Sequence, residues 1–224
     1  MILRVLGCHG SDDRLVHDGL VHECSTCGFL VNDSLLLDAG TIGTKLERRE
    51  QQRIRHVLLT HLHLDHIRAL PTLADNLAGE FEAPLTILGI DAVARGLRDH
   101  IFNDHVYPDF FRIPDPVRPV LQWRGLALNQ PHDLGDLRIT PVLVNHTVPA
   151  IGCIISDAHG AIVFSGDTGP TEDLWRIARD VPNLRAIFIE CSYPDAMEDL
   201  AFRSKHLTPS LLAREVGKIG RAEV

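Results

Sequence analysis

The run Thr-His-Leu-His-Leu-Asp-His at residues 60–66 places three imidazoles and a carboxylate within seven positions. His61 and His63 lie two apart, so in extended backbone their side chains point the same way. Imidazole nitrogen suits zinc and related transition metals. Asp65 and His66 follow at the start of a helical-looking stretch. A tight turn there would aim them beside the first pair rather than at it. One cation could use His61 and His63, and a neighbouring cation Asp65 and His66. A histidine-rich surface loop, or rings bonded to backbone carbonyls, is the bland alternative; it suits a lone histidine better than this cluster.

The surrounding pattern supplies elements to hold such a loop. LRVLG, GFLVN and SLLLDAG are short apolar runs split by Gly, Asn and Asp, the pattern of strands joined by hairpins. IRHVLLT is a strand leading directly into the histidine run, and ligand sites in α/β folds favour strand C-terminal ends. HIRALPTLADNL then has apolar residues at helical spacing, with Pro71 as a kink or break. LTILG is a strand, and DAVARGLRDHIF a helix with Asp91 as its N-cap. YPDFFRIPDPVRP is an ordered surface loop. LRITPVLVNH, GCIISDAHGAIVFSGD and LRAIFIECS are strands, with DAHG as a turn. TEDLWRIARDV and TPSLLAREVGKI are helices, each opened by a threonine. No repeat, low-complexity tract or linker interrupts the order. Layered sheets with helices outside follow, in one α/β domain spanning residues 1–224.

The chain has 224 residues, 45% hydrophobic and 23% charged, which is ordinary for a globular enzyme. A net charge of −8 disfavours a dedicated nucleic-acid binder, which needs a basic stripe for phosphates. A small anionic substrate stays compatible, because a metal supplies local positive charge. No apolar run approaches the roughly 20 residues of a membrane span, and no signal peptide is evident, so no membrane partner is expected. The five cysteines are scattered apart from Cys24 and Cys27, which fits a reducing cytoplasm. A single CSTC is weak evidence for a metal, since a four-cysteine site needs a second pair.

THLHLDH resembles the HxHxDH hallmark of the metallo-β-lactamase superfamily. That resemblance makes demands on the rest of the chain. A distant histidine after a strand is supplied by His146 in PVLVNHTVPAIGCIIS. An aspartate in a strand–turn context, bridging two metals, is supplied by Asp167 in AIVFSGDTGPTEDL. LLLDAG matches the strand and turn upstream of the metal loop, with Asp38 orienting a ligand histidine. The resemblance therefore implies one cation on His61, His63, His146 and Asp167, and a second on Asp65, His66 and the shared Asp167. Zinc is the first candidate, with manganese or iron as alternatives. The implied fold is a four-layer αββα sandwich.

The superfamily hosts β-lactamases, thioesterases, lactonases, tRNA 3′-processing nucleases and phosphodiesterases, and fold does not choose among them. THLHLDHIRALP and SKHLTP resemble the class II cyclic-nucleotide phosphodiesterases, and the opening LGC.G fits the phosphodiesterase and nuclease branches. This implies hydrolysis of a small phosphodiester such as a 3′,5′-cyclic nucleotide by a metal-bridging hydroxide. Asp65 would orient the water and His206 would protonate the leaving alkoxide. The other reading of His206 is a feature preceding the helix TPSLLAREV, capped by Thr208. The chain lacks the basic, Gly-rich arm with which the tRNA nucleases grip RNA, so a nucleic-acid polymer is not the expected partner. Thioester or lactone hydrolysis, and a non-catalytic metal- and nucleotide-binding homologue, are the alternatives.

The chain departs from the family pattern at its end. Family members carry another histidine after a strand beyond the HLTP helix, whereas here none follows His206. The expectation is a chain lacking the last strand and helix, with an incomplete second metal site that binds more weakly. A sheet edge left unpaired would invite pairing with a second copy, giving a homodimer.

Overall fold

The computed structural model describes residues 1–80 and 82–220. Residues 2–125 form one compact unit; Met1 with the residues from Leu126 onward forms another.

The first unit is built on a six-stranded sheet. Its strands are β1 (Leu3–Gly7), β4 (Gly28–Val31), β5 (Leu35–Leu37), β6 (His56–Leu58), β7 (Leu85–Gly89) and β8 (Leu121–Gly125), adjacent in that order. A separate hairpin, β2 (Asp13–His17) and β3 (Leu20–Cys24), lies between β1 and β4 in the chain. β1, β4 and β5 pair antiparallel, whereas β5 through β8 run parallel. Every residue of β5 and β7 is buried, as expected for parallel strands covered on both faces. α1 (Arg48–Gln51), α2 (Leu64–Ile67), α3 (Leu70–Leu77) and α4 (Asp91–His100) make the crossovers. The apolar faces of α3 (Leu70, Leu73, Ala74, Leu77) and α4 (Val93, Leu97) join Leu36, Val57 and Ile87 of the sheet in one core.

The chain after α2 breaks at Arg68 and Ala69, not at Pro71 as expected. Pro71 sits in the first turn of α3, where its missing N–H has no helical acceptor to lose. Asp91 likewise is not the cap: Ile90 is extended and Asp91 opens the helical turn, its carboxylate still favourable at the positive end of the helix. The Pro-rich loop is ordered by a cluster of Phe102, Tyr107, Phe110 and Phe111, and by Arg112 clamped between Asp104 and Asp109 at 2.6 Å each. The hairpin went unforeseen. All of it but Cys24 is exposed, including Leu15, Val16, Leu20 and Val21. Its base is pinned where the Thr26 amide donates to Asp12 at 2.9 Å, and Arg68 pairs with the same carboxylate. The Thr26 bond, more than the Arg68 charge, holds the Asp12 carboxyl below its usual range.

The second unit carries a five-stranded sheet in the order β13 (Leu184–Phe188), β12 (Gly160–Phe164), β11 (Ile151–Asp157), β10 (Leu137–Leu143) and β9 (His132–Leu134). Only β12 and β13 are parallel. α5 (Asp173–Arg179), α6 (Glu198–Ser204) and α7 (Pro209–Gly217) complete it. Thr208 caps α7 as expected, accepting from the Leu211 amide, but Thr171 does not cap α5. The Thr171 amide instead donates to Glu215 of α7 at 3.0 Å. That carboxylate also accepts from the indole of fully buried Trp175 at 2.6 Å and pairs with Lys218 at 2.7 Å. Removing it leaves buried donors without an acceptor. Glu215→Ala should therefore destabilise the chain by about 3–5 kcal/mol, measured by urea denaturation, and Glu215→Gln by less. Residues 221–224, where the family's last strand would begin, lie outside the described residues, and the sequence carries no histidine after His206. Among the described residues no helix is long and apolar enough to cross a membrane.

Candidate metal centre

In the first unit, β6 is an apolar run whose Val57 and Leu58, with the following Leu59, are wholly buried. The chain leaves the C-terminal end of this strand through Thr60 and enters α2 at His63, whose extended backbone makes the turn. The neighbouring strand β5 ends beside it and delivers Asp38, in the left-handed region at φ 55° and fully buried. The Asp38 amide donates to Leu58 O at 2.8 Å, and Ala39 N to His66 O at 2.6 Å, so the two loops are bolted together by backbone. Gly40 permits this approach: a Cβ there would stand 1.8 Å from the Asp65 carbonyl oxygen.

Asp38 is the hub of this half-site. Its carboxylate accepts from the Thr60 amide at 2.8 Å, the Thr60 hydroxyl at 2.8 Å, His66 Nδ1 at 2.7 Å and Cys27 Sγ at 3.7 Å. The tautomers follow. Since His66 Nδ1–H donates to a carboxylate, Nε2 carries the lone pair; it faces Asp65 Oδ2 at 3.5 Å. The Thr60 hydroxyl gives its one proton to Asp38 and so receives the Nδ1–H of His61 at 2.9 Å, which leaves the lone pair of His61 on Nε2 as well. The His61 ring centroid lies 4.6 Å from that of His63 and 4.2 Å from that of His66. The sequence-derived quartet His61, His63, Asp65 and His66 is thus gathered in one place, with oriented imidazoles and a carboxylate. That donor set fits a divalent transition cation.

In the second unit, the residues after β10 and β12 run side by side. Gly169 N donates to Asn145 O at 2.8 Å and Asn145 N to the Thr168 hydroxyl at 3.3 Å, which sets His146 and Asp167 on adjoining loops. His146 Nδ1 donates to Lys205 O at 3.2 Å, so its lone pair too is on Nε2. His206 packs edge-on against His146, centroids 5.1 Å apart. His206 Nδ1 donates to Glu190 Oε1 at 2.8 Å.

Glu190 is the site residue that sequence reading missed. It follows β13, and besides His206 its carboxylate accepts from the Thr168 amide at 3.1 Å, the Ser192 hydroxyl at 2.8 Å and the Leu207 amide at 3.3 Å. It therefore joins the Asp167 loop to the His206 loop. A carboxylate directly after the apolar run LRAIFI repeats the pattern by which LLLDAG places Asp38 at a strand end, and that signal could have found it.

Residues 34–224 match the family described as Beta-lactamase superfamily domain. An uncharacterized protein of Mycobacterium leprae is 29% identical over 189 residues, covering 79% of this chain and 61% of that protein. A 3′,5′-cyclic-nucleotide phosphodiesterase of Schizosaccharomyces pombe is 27% identical over 190 residues, covering 74% of this chain and 51% of that enzyme. The chain thus spans about half to three fifths of the length of these relatives. Unliganded yeast PDE1 superposes with a TM-score of 0.77 at 18% identity, covering 97% of this chain and 82% of that one. The fold is that of the metallo-β-lactamases, a fold of hydrolases. The chain belongs to the β-lactamase superfamily.

Proposed function

We propose that the protein is a metal-dependent phosphodiesterase acting on a small phosphodiester, a 3′,5′-cyclic nucleotide being the first candidate. His61, His63, His146 and Asp167 would hold one divalent cation, zinc first among those considered. Asp65 and His66, with Asp167 shared, would hold a second. Bound divalent cations supply Lewis-acid charge that neutralises phosphoryl oxygens and acidifies water. The chain's own residues do the rest. Asp38 and Thr60 fix the rings of His61 and His66 so that both keep their lone pairs on Nε2. Asp65 orients the attacking water. His206 delivers a proton from Nε2 to the leaving alkoxide, while Glu190 keeps its Nδ1 protonated and its ring in place.

The observation that carries this reading is the Glu190–His206 pair, 2.8 Å apart, held edge-on against His146. A proton donor built beside a metal-ligand candidate suits a poor leaving group such as a ribose oxygen. Support also comes from the relative named as a cyclic-nucleotide phosphodiesterase. The net charge of −8 favours a small diester over a nucleic-acid polymer.

The deciding measurement is turnover by purified, metal-supplemented protein on a panel of cAMP, cGMP, bis(p-nitrophenyl) phosphate, a short RNA, a thioester and a lactone. The cyclic nucleotides are expected to lead among natural substrates. Thioester or lactone turnover well above any phosphodiester would overturn the assignment and favour a carbonyl hydrolase.

A further inference from the structure

Lys205 ends α6 in the left-handed conformation, at φ 55°. Lysine is not a residue that favours this region; glycine would occupy it without strain. The lysine engages one residue at both of its ends. Its carbonyl oxygen accepts His146 Nδ1–H at 3.2 Å, and its ammonium donates to the His146 carbonyl oxygen at 2.9 Å. The two bonds close a ring around His146, fixing side chain and main chain at once. The same left-handed turn sends the chain directly into His206, whose amide returns to Ala201 O at 2.8 Å. Gly169 makes room for the packing: a Cβ there would lie 3.2 Å from Lys205 Cα.

We infer that Lys205 is a positioning residue for His146, one whose ammonium holds the imidazole in a single orientation and tautomer, with Nε2 presented for a cation. The inference rests on the reading of His146 as a ligand, but only in part, since the orientation of the ring exists without metal. A backbone carbonyl alone holds the Nδ1–H tautomer only while the loop carrying His146 stays in register with it, and by itself it leaves that loop free to shift away. The ammonium removes that freedom by tying the loop's own carbonyl to the α6 end. Losing a group that helps orient a ligand imidazole typically lowers metal affinity by about 10–100-fold.

The test uses the full chain with Lys205→Met, which keeps the length and the strained backbone but removes the ammonium, and Lys205→Gly, which removes both ammonium and strain. Two quantities are read. In metal-free protein, ring-nitrogen chemical shifts of His146 report the tautomer; wild type should show one Nδ1–H form and both variants an exchanging mixture. In zinc-loaded protein, release to a colorimetric chelator should be roughly 10-fold faster in both variants. Lys205→Gly should meanwhile melt at or above the wild-type temperature without metal, because its backbone is relieved. An unchanged His146 tautomer, or zinc release at the wild-type rate despite a lowered melting temperature, would overturn the inference and leave Lys205 a helix-end residue. Wild-type protein that retains no zinc, with the tautomer effect intact, would sink the ligand reading and keep the positioning role.

Discussion

His206→Ala lowers kcat toward a cyclic nucleotide by about 10²–10⁴-fold while metal content and thermal midpoint stay near wild type. That is the result expected if His206 donates a proton, because only the chemical step loses an interaction. A substrate releasing p-nitrophenolate needs far less help in departing, so its rate should fall much less. Equal losses on both substrates would remove the acid role and leave His206 a binding or structural residue. Glu190→Gln should lie between wild type and His206→Ala. The amide can still accept Nδ1–H from His206, but it no longer balances the charge of an imidazolium. Its other donors, Thr168 N, Ser192 Oγ and Leu207 N, also lose a charged acceptor. Some stability should be lost as well, which denaturation of the metal-free chain would register separately from kcat.

Asp38→Ala is expected to have the largest effect on the protein as a whole. The carboxylate is 0% exposed and receives the Thr60 amide, the Thr60 hydroxyl and His66 Nδ1. Its loss strands three buried donors and should destabilise the metal-free fold by about 3–5 kcal/mol. It also frees His61 and His66 to rotate, so cation affinity should drop by about 10–100-fold. Asp38→Asn keeps the volume and one acceptor oxygen and should fall between. Urea denaturation of the apo chain and chelator competition separate the two consequences. Wild-type affinity in Asp38→Ala would mean that packing alone orients the imidazoles.

The parts of the site legible in the sequence are those whose residues are neighbours in the chain. THLHLDH states its own chemistry because its donors lie within one strand exit and one helical turn. LLLDAG is readable because a parallel strand ending in a carboxylate and glycine must close on the next strand's exit. LRAIFI marks the position of Glu190, but its role was hidden because it depends on where β13 places it relative to residues 168 and 206, and no local periodicity encodes that. β8 was missed because LQWRG, an edge strand with three exposed positions, has no apolar run, and its alternation from Leu121 to Arg124 stops after four residues. The caps of α4 and α5 failed for one reason. A polar residue near a helix start competes with strand exit geometry at Ile90 and with the more distant acceptor Glu215 at Thr171, and tertiary contacts decided both.

The β2–β3 hairpin has a consequence for how this chain can change in length. Its two ends are already held together, by the Asp12–Thr26 bond below it and by the Asp13–Cys24 register of the ribbon itself. A segment inserted between pinned ends adds little closure entropy, since each doubling of a flexible loop costs only about 0.6 kcal/mol. Beyond the clasp the ribbon is exposed on both strands up to Cys24, with Glu23 meeting Lys45 at 4.0 Å. Residues 13–24 therefore mark a permissive position, where the molecule can gain, lose or exchange a segment of surface while Asp38 and the histidine loop keep their places.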